Sequence, residues 1–251
     1  MLLPSLGVLL LLLRPPPLVA AVAAAPAFVF GAASAAWQYE GALAERGPSI
    51  WEAFCGGATP AGAPRCRGGG GNIAAVADDQ FNLTKLRGDI ARMRSMGMSA
   101  YRLSLAWSRV MPDGRSVRRA GVRHYRAVLQ ALRDAGIAPW VTLFHFDLPL
   151  ALEREEGGWR NRSSAGRFRA YAATCFEEFG DLVDRWVTIN EAHTIATAGY
   201  LYGVAAPGRC SDRSLCARGN GTTEPYVVAH NLLRAHGEAV RVFRGLPARL
   251  R

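Results

Sequence analysis

Lysine is almost missing from this sequence. Lys85 is the only one, so 29 of the 30 basic residues are arginines. Against 20 acidic residues they leave a formal charge of +10 at pH 7. The arginines are scattered, without a basic run and without interleaved aromatic residues, so the electrostatic footprint of a nucleic-acid-binding surface is missing. A compositional bias toward arginine accounts for the charge. Other absences narrow the chemistry further. There is no "HExxH" and no "CxxC", which removes the commonest ligand spacings for zinc. No "GxGxxG" follows a strand-like run, and the "GGGGN" at 68–72 has no strand before it, which argues against a dinucleotide-binding fold. The apolar run at the start is too short to cross a bilayer comfortably, which takes about 20 residues, and no other stretch looks transmembrane.

What is present begins with a leader. Residues 1–13 are almost wholly apolar and end in "VLLLLL"; Arg14, three prolines and "LVAAVAAAP" follow. This pattern predicts a secretory signal peptide over 1–25, cleaved near Ala23 or Ala25. It predicts entry to the secretory pathway, with an extracellular, vacuolar or endoplasmic-reticulum destination and no membrane attachment after cleavage. Cysteine usage agrees. Cys55 and Cys66 flank one Gly/Pro loop and Cys210 and Cys216 another, and each pair could close a short loop in an oxidising compartment. Cys175, in the amphipathic "YAATCFEEFG", reads as a buried free thiol. Glycosylation sequons stand at Asn82, Asn161 and Asn220.

Strand-like and helix-like runs then alternate. "AFVFGAAS" (27–34), "AYRLSLAW" (100–107), "APWVTLFHF" (138–146) and "RWVTIN" (185–190) read as strands, nearly apolar as in a parallel sheet. Between them, "KLRGDIARMRSMG" groups Leu86, Ile90, Met93 and Met96 on one helical face. "HYRAVLQALRDAG" groups Tyr125, Val128, Leu129 and Leu132, and "GRFRAYAATCFEEFG" groups Phe168, Tyr171, Phe176 and Phe179. A fourth helix follows Thr223, Glu224 and Pro225. Four β-α repeats predict an α/β fold with a parallel sheet. From the pattern alone, doubly wound and barrel forms both remain open.

In such folds sites form at the carboxyl ends of the strands. Gln38 and Glu40 follow the first run, Arg102 lies in the second with Trp107 at its end, His145 and Asp147 end the third, and Asn190, Glu191 and His193 follow the fourth. Each alone is ordinary: a glutamine after a strand is usually a turn residue. Together with Trp37, Trp107 and Phe146 they suit a sugar ring, which offers apolar C–H faces and a rim of hydroxyls. A metal reading of His145 and Asp147 finds no further ligands in a recognisable spacing.

The same residues carry a resemblance. "FVFGAASAAWQYEGA", "SIWEAF", "MGMSAYRLSLAWSRVMPDG", "WVTLFHFDLPLALE", "FEEFGDLVDRWVTINE" and "APGRC…TEPYVVAHNLLRAHGEAV" resemble, in consistent order, the family 1 glycoside hydrolases, the β-glucosidase family. The likeness spans about Phe28 to Phe243, and the spacing of Cys210 and Cys216 is most similar to the plant branch. The resemblance implies a (β/α)8 TIM barrel, of which about the first four βα units lie in this chain, so that 26–251 is the amino-terminal half. It implies retaining hydrolysis of a small-molecule β-glycoside without a metal or organic cofactor. Glu191 matches the acid/base, Asn190 the residue that binds the sugar 2-hydroxyl, Gln38 and His145 the residues that hold other hydroxyls, and Arg102 the arginine that supports the nucleophile.

An acid that protonates the leaving oxygen must stay protonated near neutral pH, and burial at a strand end facing a dry pocket achieves this. Three departures stand out. Ala192 replaces the family's proline, and Phe146 replaces its tryptophan. The "TENG" motif that carries the nucleophile does not occur in the 251 residues, although a retaining enzyme needs a second carboxylate about 5 Å from the first. The chain alone is therefore expected to be inactive. The alternative reading is a truncated protein that binds sugar without turnover.

Overall fold

The computed structural model describes residues 28–66 and 76–250. The signal-peptide segment and "GGGGN" lie outside the described residues. Four strands form one parallel sheet in the order β1 (Gly31–Ala33), β2 (Ala100–Ser104), β3 (Ala138–Phe144), β4 (Arg185–Ile189). Four long helices follow them: α1 (Leu83–Ser95), α2 (Arg119–Asp134), α3 (Ser164–Phe179) and α4 (Glu224–Gly245).

The strand order has no reversal, and α1 to α4 pack on one another in chain order. All four helices therefore form one layer on one face. A doubly wound sheet would carry helices on both faces. This is an arc of a barrel. Register fixes its two faces. Ala33, Arg102, Trp140 and Arg185 lie in one row on the concave face. Tyr101, Leu103, Val141 and Leu143 point the other way and are buried beneath the helices.

The helices form where the apolar spacing predicts. Asn82 caps α1, its Oδ1 accepting from the Thr84 N–H at 3.0 Å, and Leu86, Ile90 and Met93 are buried. Met96 is not: it is the helix C-cap before left-handed Gly97 and stands 62% exposed. The α2 and α3 residues named above are all buried, and Cys175 is a buried free thiol. Burial holds the Cys175 thiol far above its ordinary range. Both cysteine pairs, Cys55–Cys66 and Cys210–Cys216, are disulfides. Asn82, Asn161 and Asn220 are all exposed. No helix among the described residues is long and apolar enough to cross a membrane.

β1 is shorter than its sequence run because the chain leaves the sheet at Ser34 into a four-residue helix, Ala36–Tyr39. Its approach to β2 is close: a Cβ on Gly31 would fall 2.6 Å from the Ala100 carbonyl oxygen. A buried ion pair anchors this exit. Arg109 Nε donates to Glu40 Oε2 at 3.0 Å, Tyr125 Oη donates to Glu40 Oε1 at 2.7 Å, and the Arg109 guanidinium lies 4.4 Å above the Phe81 ring. Trp107 belongs to the core rather than to a strand-end site. It opens a short helix (Trp107–Val110), is fully buried and stacks on Tyr171 at 4.8 Å. The run's alternation ends at Ser104, so Trp107 turns under α3 instead of toward the mouth.

Candidate active site

The carboxyl ends of the strands gather most of the expected polar residues. On the β1 side, the Ala36 N–H donates to Ser104 Oγ at 2.7 Å, which pins the short helix that carries Trp37 and Gln38. Trp37 stacks on Trp51 at 4.6 Å, and its Nε1 donates to Glu52 Oε1 at 2.9 Å. Trp51 Nε1 in turn donates to the Phe146 carbonyl at 3.1 Å. This chain of contacts joins the exits of β1 and β3.

Phe146 (φ 76°) and Glu191 (φ 47°) both adopt the left-handed backbone region, one just after β3 and one just after β4. Non-glycine residues there cost roughly 1–2 kcal/mol each. Such strain persists only where the surroundings hold it, and it clusters at functional sites.

Arg102 spans the concave face. Its Nε donates to Thr142 Oγ1 at 2.9 Å on β3, and its Nη2 donates to Asn190 Oδ1 at 2.6 Å beyond β4. The Asn190 amide nitrogen is buried and finds no acceptor among the described residues. It is a donor ready for a ligand oxygen. His145 Nδ1 is likewise buried without a partner. Burial, helped by the positive Arg102 and opposed by Glu191, pushes the His145 imidazole down to about 4. At neutral pH it is an uncharged ring with one donor and one acceptor to offer hydroxyls.

Gln38, His145 and the rings of Trp37 and Phe146 line a pocket of about 240 Å³. Trp51, Trp159, Thr194 and Tyr200 complete much of its wall. Sequence reasoning missed these four as wall residues, and it also missed the helix Ala192–Tyr200 that carries Thr194 and Tyr200; "SIWEAF" was visible, but nothing local aims Trp51 inward. Arg102, Asn190 and Glu191 are not part of that lining. They lie on the adjoining concave face.

Three expectations change. Glu191 is exposed rather than in a dry pocket, because β4 is a sheet edge here and the concave face beside it is uncovered. Its side chain does not cap the helix Ala192–Tyr200 that it precedes. His193 is exposed, outside the pocket lining. Asp147 turns away into the protein, 1% exposed, with neither carboxylate oxygen bonded among the described residues. Burial outweighs the pull of Arg46 and pushes its carboxyl up to about 7.

The family model described as "Glycosyl hydrolase family 1" matches residues 24–248. The chain belongs to this family. Glycosyl hydrolase family 1 relatives include rice Beta-glucosidase 6 (Oryza sativa subsp. japonica), 48% identical over 225 residues that make up 86% of this chain and 41% of that protein. Arabidopsis thaliana Beta-glucosidase 14 is 44% identical over 86% of this chain and 44% of its own length. Among solved structures, a rice β-glucosidase superposes with a TM-score of 0.78 at 47% identity, covering 86% of this chain and 45% of that one. A Thermotoga maritima β-glucosidase in complex with glucoimidazole superposes with a TM-score of 0.76 at 39% identity, covering 86% of this chain and 46% of its own. The chain thus spans less than half the length of the glycosyl hydrolase family 1 proteins it matches. Its four βα units correspond to an arc of their (β/α)8 barrel.

Proposed function

We propose that this chain carries the acid/base side of a retaining β-glycosidase site of β-glucosidase type. One observation carries the reading: Gln38, Arg102, His145, Asn190 and Glu191 stand at or near the carboxyl mouth of four successive parallel strands, beside an aromatic-walled pocket. In this reading Gln38 and neutral His145 hold hydroxyls of a glucose-like ring. The free Asn190 amide donates to the 2-hydroxyl, a contact that strengthens in the transition state of such reactions. Glu191 protonates the glycosidic oxygen as the bond breaks and later takes a proton from water. Arg102 keeps the nucleophilic carboxylate ionised. That carboxylate, in the family's "TENG" motif, has to come from sequence outside these 251 residues. The apolar wall of Trp51, Trp159 and Tyr200 fits an apolar leaving group.

Two disulfides and three exposed sequon asparagines support a secreted glycoprotein, delivered by the signal peptide read at 1–25. The second reading, sugar binding without turnover, is favoured by the exposure of Glu191, which lacks the dry surroundings that acid catalysis uses.

An alkyl β-glucoside is the decisive substrate, because its poor leaving group needs protonation. The chain ending at Arg251 is expected to give no turnover. A longer polypeptide that contains it and a "TENG" carboxylate is expected to hydrolyse the substrate and to lose about 10²–10⁴-fold in rate on Glu191→Gln. An unchanged rate in that variant would remove Glu191 from the acid role. Hydrolysis by the chain alone would show that its second carboxylate is already present.

A further inference from the structure

Two loops bear on the pocket, and one arginine joins them. After the helix Ile50–Cys55 the chain turns back on itself and returns to Cys66, which is disulfide-bonded to Cys55. The Ala58–Pro64 bridge closes this loop as a short hairpin, with the Thr59 N–H donating to the Ala63 carbonyl at 2.8 Å. The second loop follows the helix Ala192–Tyr200. It carries Ala205 and Ala206, which line the pocket, and the Cys210–Cys216 disulfide closes its far part. That disulfide packs on the loop's own start: a Cβ on Gly203 would fall 2.1 Å from Cys216 Sγ.

Arg65 stands one residue before Cys66 and reaches from the first loop to the second. Its Nη1 donates to the Gly203 carbonyl at 3.1 Å and its Nη2 to the Leu215 carbonyl at 2.7 Å. Its guanidinium also lies 5.1 Å from the centre of the Phe54 ring, and Phe54 meets Trp51 edge-on at 5.6 Å. Gly208 permits this approach, since a Cβ there would fall 2.8 Å from the Phe54 ring and 3.0 Å from Arg65 Nη1. Arg65 thus touches both segments that carry the wall. Through Phe54 it braces the helix that presents Trp51, and through two carbonyls it holds the loop that presents Ala205 and Ala206.

We propose that Arg65 is a positioning residue: with the Cys55–Cys66 hairpin it straps the pocket walls at a width that favours one flat apolar ring over two fused rings. The volume suits that guest. An apolar cavity of about 150 Å³ holds benzene, and the pocket, at about 240 Å³, exceeds that but falls short of twice it. An apolar pocket discriminates by size only when its walls do not yield, because a wider guest then has to displace packed atoms. Alanine side chains cannot hold a width by their own bulk, so the loop that carries Ala205 and Ala206 takes its position from what grips it. The planar guanidinium grips two carbonyls at once; an ammonium in its place would act as a point charge. That the ring belongs to the leaving group of a glycoside rests on the function proposed above. The strap itself does not.

The test compares the 251-residue chain with Arg65→Met, Arg65→Lys and the pair Cys55→Ser with Cys66→Ser. Hydrogen exchange at 203–209 is expected to quicken about tenfold in Arg65→Met and in the serine pair, and to stay unchanged in β3 and α3. Equilibrium dialysis against phenol and 2-naphthol, which carry no sugar, reads the width. Affinity for 2-naphthol relative to phenol is expected to rise about tenfold in Arg65→Met and in the serine pair, and by less in Arg65→Lys. An unchanged ratio, exchange that quickens throughout the chain, or a parent that takes neither phenol nor 2-naphthol would each overturn the proposal. Arg65→Lys keeps the charge and the stem, so its intermediate ratio decides the matter should Arg65→Met not fold. A parent that binds phenol but gains nothing from the sugar of phenyl β-glucoside would count against the glycosidase reading and leave the strap standing.

Discussion

Asp147→Asn tests whether the arc's inner carboxyl is neutral. Asp147 is 1% exposed, and both of its oxygens lack partners among the described residues. Burial raises its carboxyl from 3.8 to about 7; Arg46 opposes the rise, and Glu40 and Glu52 reinforce it. A carboxyl with a raised folded value binds its proton more tightly folded than unfolded. Its favourable contribution is therefore complete below about 3.8 and is lost progressively as pH rises to about 7. A tenfold difference in proton affinity between the folded and unfolded protein corresponds to about 1.4 kcal/mol. Between pH 5 and pH 8 the parent should lose about 2–3 kcal/mol through this group alone, and the amide variant should lose none of it. The assay is urea unfolding of both proteins at the two pH values, read by tryptophan fluorescence. Other titrating groups are common to both and cancel in the difference. Asp147→Asn should thus gain on the parent by about 2–3 kcal/mol across that interval. A constant gap, or one that narrows, would mean that Asp147 is ionised and paired, and the buried-neutral account would fall.

Other outcomes follow from the same contacts. The His145 ring should stay neutral through mild acid and titrate near about 4 by NMR; a midpoint at the ordinary 6.5 would mean the ring is solvated. Arg109→Met strands the buried Glu40 and should cost about 3–5 kcal/mol in urea unfolding, while Arg109→Met with Glu40→Leu should recover most of it; additive losses would contradict the pairing. The two disulfides close loops of 11 and 6 residues of sequence separation. Chain entropy gives about 2–3 kcal/mol for each, so replacing either pair by serines should lower stability by similar amounts. A cost confined to the longer loop would contradict the entropic account.

The sequence shows the repeat because periodicity survives burial. Leu86, Tyr125 and Phe179 fall where helical spacing puts them, and β3 reads as an unbroken apolar run because helices cover one of its faces. Trp107 shows the limit: an aromatic at the end of an alternating run gives no sign of which way the chain turns next, and here it turns into the core. Met96 fails at a boundary, since the helix unwinds one residue before the apolar spacing would end. Gln38, His145 and Asn190 were singled out because strand ends are where sites form, and the roles proposed for them come from family likeness. The exposure of Glu191 was not legible. It depends on what lies beside β4, which is a property of the whole barrel and not of the residues around position 191.

The left-handed backbone at Glu191 has a consequence for how this site would drift. Glycine would occupy φ 47° without the roughly 1–2 kcal/mol that glutamate forfeits there, and asparagine would reduce it. A library of this protein sorted only for folding should therefore discard the acid early and enrich glycine or asparagine in its place. Under the proposed proton-donor role, sorting for glycoside hydrolysis should hold glutamate against that gradient. The identity of residue 191 after many rounds of mutation thus separates selection for chemistry from selection for a fold.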